Sequence, residues 1–156
     1  MSAPAPFVTT DRVRWADVDL IGIMRFSAFT RLIEVAEQEL LRAAGMPYSA
    51  AFDAPSVLMP RRHLSIEYFA PVRLDDALSL VTYVSHLGAT SATINVDVRV
   101  AETGVLAAAA AMTVVCVSAA TFAKQPLPEA MRAAMAPFVC TVADMRTGAP
   151  APPSAR

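Results

Sequence analysis

The chain has 156 residues, enough for one domain, and its 55 % hydrophobic and 17 % charged residues exclude disorder over most of its length. A net charge of −1 excludes a basic field for nucleic acid and a polybasic segment for a membrane surface. Its two cysteines make neither a disulfide framework nor a metal site. The N-terminus lacks the basic start and apolar stretch of a signal peptide, so we expect a soluble, cytoplasmic protein without membrane insertion.

The first half of the chain predicts a strand, a loop and one long helix. Apolar residues among polar ones predict a strand from Phe7 to Trp15. Apolar residues at helical spacing then predict a helix from Ser27 to Ala44. Ser27 is the expected N-cap, and Gly45 is expected just after the last helical residue.

The second half of the chain predicts antiparallel strands. Ser56 to Phe69 is expected to form a strand pair or one bent strand. Regular alternation predicts strands at Ala77–His86 and Ser91–Val100, and an apolar run predicts the last strand at Val105–Val117. Alanines in that run favour a helix by propensity, but the two-turn meander before it favours a strand. A short helix is expected at Glu129–Met135.

This order of elements predicts an α+β fold, in which an antiparallel sheet of about five strands wraps around one long helix. We expect a single domain over residues 7–140. The Ala-, Pro- and Ser-rich ends, residues 1–6 and 141–156, are expected to be flexible.

Three stretches carry recognisable motifs. Residues 14–24 read RWADVDLIGIM, a D-x-D-x-x-G pattern followed by two apolar residues, and residues 63–80 contain Tyr-x-x-Pro-x-Arg-x-Asp-Asp. The third stretch, residues 114–128, reads VVCVSAATFAKQPLP. In this order they resemble the hotdog-fold 4-hydroxybenzoyl-CoA thioesterase-like superfamily, with the nearest resemblance to the Tol–Pal-associated acyl-CoA thioesterases.

The resemblance implies a thioesterase that hydrolyses an acyl-CoA or an acyl group on a carrier protein. It places Asp19 on the family's catalytic aspartate and the amide near Phe26 where the family polarises the thioester carbonyl. Such chemistry needs a carboxylate to attack or to activate water, and a donor for the developing oxyanion. Gly22 is expected to allow close approach of a ligand. The choice between nucleophile and general base stays open.

The resemblance also implies a homo-oligomer, a dimer or homotetramer, with the active site between subunits. No cofactor or metal is expected, because coenzyme A is part of the substrate and no zinc-ligand set or Gly-rich phosphate loop is present.

Further candidates for substrate contact come from charge. Arg61, Arg62 and His63 form the only basic cluster and are candidates for coenzyme A phosphates, with a solvated strand end as the alternative. Arg25, at the helix start, either offsets Asp17 or Asp19 or meets an anionic ligand. Glu34 either orients water or is a salt-bridge partner. Asp17 itself is expected to be structural.

Apolar residues near the motifs are candidates for an acyl channel, with ordinary core packing as the alternative. They are Met24, Phe26, Phe29, Met46 and Met59.

Three alternatives to a general acyl-CoA thioesterase remain. A hydratase or dehydratase is disfavoured, because neither histidine lies in the motif those enzymes use. A non-catalytic acyl-thioester binding module shares the fold. A pathway-specific thioesterase that releases a polyketide-like product is the third.

Overall fold

The computed structural model describes residues 3–51 and 56–147. The helices are α1 (Phe29–Ala43), α2 (Tyr48–Ala51), α3 (Glu129–Met135) and α4 (Val142–Arg146). The strands are β1 (Phe7–Arg12), β2 (Val57–Leu58), β3 (Arg61–Tyr68), β4 (Ala77–Leu87), β5 (Ser91–Val100), β6 (Leu106–Val115) and β7 (Val117–Ser118). Short 3-10 turns lie at Trp15–Asp17, Phe26–Ala28 and Ala136–Phe138.

The main sheet has five antiparallel strands in the order β1-β4-β5-β6-β3, and α1 packs against its inner face. The apolar face of α1 is buried at Leu32, Ile33, Ala36 and Leu40, as the helical spacing predicts. Burial of this face supplies most of the helix's stability, because isolated helices of this length are marginal in water. The predicted α+β arrangement, a sheet around one long helix, is confirmed.

The alanine-rich run forms β6, so the prediction of a strand is confirmed over the helical propensity of alanine. β6 pairs with β5 on one side and β3 on the other, and this pairing outweighs an intrinsic preference of well under 1 kcal/mol per residue. Ala108 and Ala110 face inward in the core that α1 fills.

Several element boundaries differ from prediction. Ser27 is not the N-cap, because it lies inside the 3-10 turn that precedes α1, and the helix begins at Phe29. Gly45 follows the helix with φ +77°, as predicted for its left-handed cap. The stretch Ser56–Phe69 holds two strands that do not pair with each other: β2 pairs with β7 and β3 with β6. Pro60, between them, has no amide hydrogen with which to continue a ladder.

The C-terminal end was expected to be flexible from residue 141, but residues 141–147 carry structure. Thr141 caps α4 by accepting the Asp144 amide, and Arg146 forms an ion pair of 3.2 Å with the fully buried Asp97 of β5. Residues 148–156 lie outside the described residues.

The N-terminal end was expected to be flexible over residues 1–6, of which the first two lie outside the described residues. Within the rest, the amide of Ala5 donates to the carbonyl of Pro137 at 3.0 Å. None of the helices in the described ranges is long and apolar enough to cross a lipid bilayer.

Candidate active site

A tight turn carries the first motif. The amide of Asp19 donates to the carbonyl of Ile23 at 2.9 Å, and the amide of Gly22 donates back to the carbonyl of Asp19 at 3.0 Å. Gly22 has φ +77°, and no atom lies within 4 Å of the position that a Cβ would take. The backbone conformation of the turn therefore favours glycine at this position, and the close approach of a ligand expected from the sequence stays a prediction.

The Asp19 side chain is exposed at the tip of this turn. Its Oδ1 accepts the amide of Ile21 at 2.9 Å, which is the ordinary contact of a turn aspartate. Asp19 also borders a cavity of about 450 Å³, and it is the one charged residue among those that line it. The cavity walls are otherwise mainly apolar, and include Met24, Phe29 and Val72.

The start of the long helix opens onto the same cavity. Phe26, which lines it, begins the 3-10 turn that runs directly into α1. The first amides of a helix lack intrahelical acceptors and carry partial positive charge. The turn and the helix start thus bring the Asp19 carboxylate and Phe26 to one cavity, and a carboxylate with an amide donor nearby is the pair that thioester hydrolysis needs. The roles of Asp19, Gly22 and Phe26 stay predictions.

Tyr68, at the end of β3, closes another side of the cavity. Its hydroxyl donates to the carbonyl of Phe26 at 3.1 Å, and its ring meets that of Phe29 edge to face, with 5.2 Å between the ring centres. The edge strand is thereby attached to the start of the helix. Tyr68 belongs to the second motif, so the sequence already marked it, although without a role.

Comparison with known proteins gives the family. The thioesterase-like superfamily matches residues 13–135, which is most of the chain. The chain belongs to this superfamily. The predicted family, its hotdog fold and the enzyme class, a thioester hydrolase, are confirmed.

Individual relatives agree with this assignment. The 1,4-dihydroxy-2-naphthoyl-CoA hydrolase of Nostoc punctiforme is 30 % identical over 79 % of this chain and 82 % of that protein. The acyl-CoA thioester hydrolase YbgC of Escherichia coli is 30 % identical over 77 % of this chain and 88 % of its own. A solved thioesterase-superfamily structure from Jannaschia sp. CCS1 has 28 % identity and a TM-score of 0.79, and covers 90 % of this chain and 99 % of its own.

An ion-pair cluster holds the superfamily's first motif against the helix. Arg31 of α1 donates through Nε and a terminal nitrogen to the two oxygens of Asp17, and through its other terminal nitrogen to Asp11 at 2.7 Å. Asp17 also accepts the amide of Arg14 at 2.9 Å, and its backbone carbonyl accepts the amide of Arg25 at 2.8 Å. These contacts fit the structural role predicted for Asp17.

Both carboxylates of this cluster have altered acidity. Burial raises the pKa of Asp17, but hydrogen bonds from Arg31 and the Arg14 amide outweigh it and lower the pKa below its ordinary 3.8. Burial likewise raises the pKa of Asp11, and the amide of Arg12 and the guanidinium of Arg31 more than offset it.

We expect acid to weaken this cluster. Because the pKa of Asp17 is lower in the folded chain than in the unfolded chain, its stabilisation is complete above 3.8 and is lost as the pH falls through the lowered value. Urea unfolding of wild type and Asp17→Asn should differ more at about pH 6 than at about pH 3. Glu102→Gln, at an exposed carboxylate in a hairpin turn, is the control. A pH-independent difference for Asp17→Asn would contradict the expectation.

The other two charged candidates near the helix, Arg25 and Glu34, form no hydrogen bond or ion pair with Asp19 in the described part of the chain. Arg25 donates to the carbonyl of Ala16, and within the described residues it forms no ion pair with Asp17 or Asp19. Glu34 is exposed on α1 and does not line the cavity. Two roles were predicted for Arg25. An ion pair that compensates the charge of Asp17 or Asp19 is not observed among the described residues, and contact with an anionic ligand stays a prediction.

The basic cluster on β3 divides in two. Arg61 is 45 % exposed but forms an ion pair with the buried carboxylate of Glu37, and it donates to the hydroxyl of Tyr48 at 2.9 Å. Arg62 and His63 lie exposed, with a register irregularity of the strand between Arg61 and His63. Any contact with phosphates is therefore better suited to Arg62 and His63, and stays a prediction.

Glu37 is a residue that sequence reasoning missed. It lies four residues after Ile33 and three before Leu40, so its position is on the apolar face of α1. A charge at such a position signals a buried partner, which here is Arg61. Burial first, and then the charge of Glu37, raise the pKa of the neighbouring Tyr48 to about 12.

Proposed function

We propose that this chain is an acyl-CoA thioesterase that uses Asp19 and the first amides of the long helix. The observation that carries the proposal is that Asp19 and Phe26 line one cavity in a chain of the thioesterase-like superfamily. Relatives named as hydrolases of 1,4-dihydroxy-2-naphthoyl-CoA and of acyl-CoA thioesters support it. A carrier-protein thioester presents the same reacting group and remains the second substrate class.

The proposed reaction starts with the thioester carbonyl oxygen at the Phe26 amide, where the helix start stabilises the negative charge that develops. Asp19 takes a proton from water as the water oxygen bonds to the carbonyl carbon. The carbon–sulfur bond then breaks, and the proton passes to the leaving sulfur, which gives a carboxylic acid and free coenzyme A. In the alternative route the Asp19 carboxylate attacks the carbon itself, and the carbon–sulfur bond breaks to release coenzyme A as the thiolate. Water then cleaves the anhydride to the carboxylic acid and the Asp19 carboxylate, and the proton released passes to the thiolate. Neither route requires a further cofactor.

Thiol release from a panel of short, long and aromatic acyl-CoAs tests the proposal. We expect turnover of at least one class. Tight binding of an acyl-CoA without thiol release would contradict the proposed acyl-CoA hydrolysis and favour a non-catalytic binding module. Release from a carrier-protein thioester alone would replace the acyl-CoA substrate with the pathway-specific alternative.

The proposed enzyme is a homodimer formed along β3, which is an edge of the described sheet and presents unpaired backbone groups. The strand is basic at its start, at Arg62 and His63, and acidic near its end, at Glu67. Antiparallel pairing about a two-fold axis places the basic start of each copy beside Glu67 of the other. The same contact covers Leu64 and Tyr68, which are 43 % and 48 % exposed. Further pairing into a tetramer and a cytoplasmic location stay predictions.

Charge reversal on β3 tests this assembly. Glu67→Arg places like charges opposite each other at both ends of the paired strands, so we expect the dimer dissociation constant to rise at least about tenfold. Adding His63→Glu, which lies on the same face of the strand as Glu67, restores opposite charges and should recover most of the affinity. Sedimentation equilibrium gives the constants, with Glu102→Arg as the control for a charge change elsewhere. Equal weakening by the single and double variants would contradict pairing along β3.

A further inference from the structure

A second cavity, of about 350 Å³, lies at the other end of β3 from Asp19. Its size is within the range of about 300–1,000 Å³ typical of small-molecule sites. Its walls come from the C-terminal half of α1, the segment that includes β2 and the start of β3, strands β5 and β6, and α3. They include four methionines: Met46, Met59, Met131 and Met135. We call this space the methionine cavity.

The walls of the methionine cavity select an apolar and flexible ligand. Methionine side chains adapt to the shape of what they contact, which suits a chain of many conformers better than one rigid ring. The two charged residues of the wall, Glu37 and Arg61, are already bound to each other. Because each charge of this pair is compensated by the other, the described wall offers no free cation for an anionic ligand end, and an uncharged tail is favoured.

The methionine cavity is far from Asp19 of its own chain. Arg61 lines this cavity and Tyr68 lines the cavity of Asp19, and the seven residue steps of β3 between them span roughly 23 Å. The two cavities share no lining residue, and buried side chains such as Leu32 and Ala36 lie in the core between α1 and the sheet.

In the proposed dimer the same cavity comes close to the other active site. Antiparallel pairing of β3 places the Arg61 end of one copy beside the Tyr68 end of the other. The methionine cavity of one subunit then adjoins the Asp19 cavity of its partner. Both Asp19 cavities meet a methionine cavity in this way, because a two-fold interface repeats each contact.

We propose that the methionine cavity holds the aliphatic tail of an acyl-CoA whose thioester lies at Asp19 of the partner subunit. This inference rests on the proposed thioesterase function and its β3 dimer, and it names the substrate class: flexible, medium- to long-chain acyl groups. It also gives Met46 and Met59 a channel role in a cavity separate from that of Met24, Phe26 and Phe29.

Filling the cavity tests the substrate class. Met59→Trp and, on another wall, Met131→Trp should lower kcat/KM for dodecanoyl-CoA at least about tenfold and change that for acetyl-CoA less than about threefold. Ala133→Trp, at an exposed position of the same α3, is the matched control. Thermal unfolding confirms that each variant is folded. Equal losses on both substrates in both filled variants, or no loss at all, would overturn the inference and leave the thioesterase proposal intact.

Mixed dimers test which subunit supplies the cavity. One chain carries Asp19→Asn with an intact cavity, and the other carries Met59→Trp with an intact Asp19; separate affinity tags isolate the mixed species. If the tail crosses to the partner, the intact Asp19 faces the intact cavity, and dodecanoyl-CoA turnover is restored at one site per dimer. If each chain uses its own cavity, neither site is complete and the mixed dimer stays inactive, which would overturn the inference.

A binding measurement separates failure of this inference from failure of the thioesterase proposal. Calorimetric titration with 1-decanol, a neutral chain without a thioester, should show binding to wild type and at least about tenfold weaker binding to Met59→Trp. Wild type that binds decanol but hydrolyses no acyl-CoA contradicts the proposed reaction alone. Wild type that hydrolyses dodecanoyl-CoA but binds decanol no better than Met59→Trp contradicts the proposed cavity alone.

Discussion

Asp19→Asn is expected to lower kcat for a wild-type acyl-CoA substrate by at least about a hundredfold, because the amide neither attacks a thioester nor removes a proton from water. Asn has nearly the same shape, and its side-chain oxygen still accepts the amide of Ile21, the contact that Oδ1 makes in wild type. The turn should therefore keep its conformation, with the midpoint of thermal unfolding unchanged.

The measurement is initial thiol release at saturating substrate, alongside thermal unfolding of the same preparations. Glu102→Gln removes a carboxylate from an exposed hairpin turn and should leave kcat unchanged. A wild-type kcat for Asp19→Asn would show that the Asp19 carboxylate is neither the nucleophile nor the general base, and Glu34 would be the next carboxylate to test. Loss of activity together with loss of folding would also contradict the prediction.

The two oxygens of the Asp19 carboxylate have different surroundings. Oδ1 accepts the Ile21 amide and fixes the side chain at the tip of the turn, and within the described residues Oδ2 has no hydrogen-bond partner. A turn aspartate that borders a cavity can serve both purposes, because a carboxylate accepts several hydrogen bonds at once. The ordinary turn role and the proposed catalytic role are thus compatible.

The parts of the fold set by local pattern could be predicted from the sequence. Ser91–Val100 alternates strictly and forms β5 with the predicted bounds, and Glu129–Met135 forms α3 with the predicted bounds. The long helix was predicted from its spacing, because one face of a helix must be apolar to pack on a sheet. The motif residues were identified from the family resemblance, because motifs are recognised by their order in the chain and do not require knowledge of tertiary contacts.

What could not be predicted depends on residues far apart in the chain. Glu37 is buried because Arg61, 24 residues later, reaches it. The structure that begins at residue 141 depends on Asp97, which receives Arg146 from 49 residues away. Local composition indicates neither the Arg61 partner of Glu37 nor the Asp97 partner of Arg146. A Pro- and Ala-rich chain end with no such partner is ordinarily flexible, and that is why flexibility was predicted. The cavities likewise join separate segments, so the sequence named Met24, Met46 and Met59 without dividing them between two sites, and it did not name Met131 or Met135.

The Arg31 cluster shows the same dependence on distant contacts, because Arg31 binds Asp17 and Asp11, which lie 14 and 20 residues earlier in the chain. The guanidinium of Arg31 lies between Asp11 and Asp17, whose side chains are 9 % and 6 % exposed. Arg31→Met keeps much of the aliphatic stem and leaves two nearly buried carboxylates without their cation. We expect a loss in the free energy of unfolding on the order of 3 kcal/mol. Urea unfolding measures it, with Arg42→Met, which breaks an exposed pair with Glu39, as a control expected to lose less than about 1 kcal/mol.

The cause of that loss can be separated from lost packing. If unpaired charge is responsible, adding Asp11→Asn and Asp17→Asn to Arg31→Met should make the chain more stable than Arg31→Met alone, because a neutral amide is less costly to bury than a carboxylate. The deficit of Arg31→Met should also shrink at low pH, where protonation neutralises the two carboxylates. Asp17 accepts the Arg14 amide and, through its carbonyl, the Arg25 amide, so the same substitution loosens the turn that carries Asp19. The thioesterase activity of Arg31→Met should therefore fall at urea concentrations below its global unfolding transition. Activity that persists up to that transition would show that the cluster stabilises the fold without positioning Asp19.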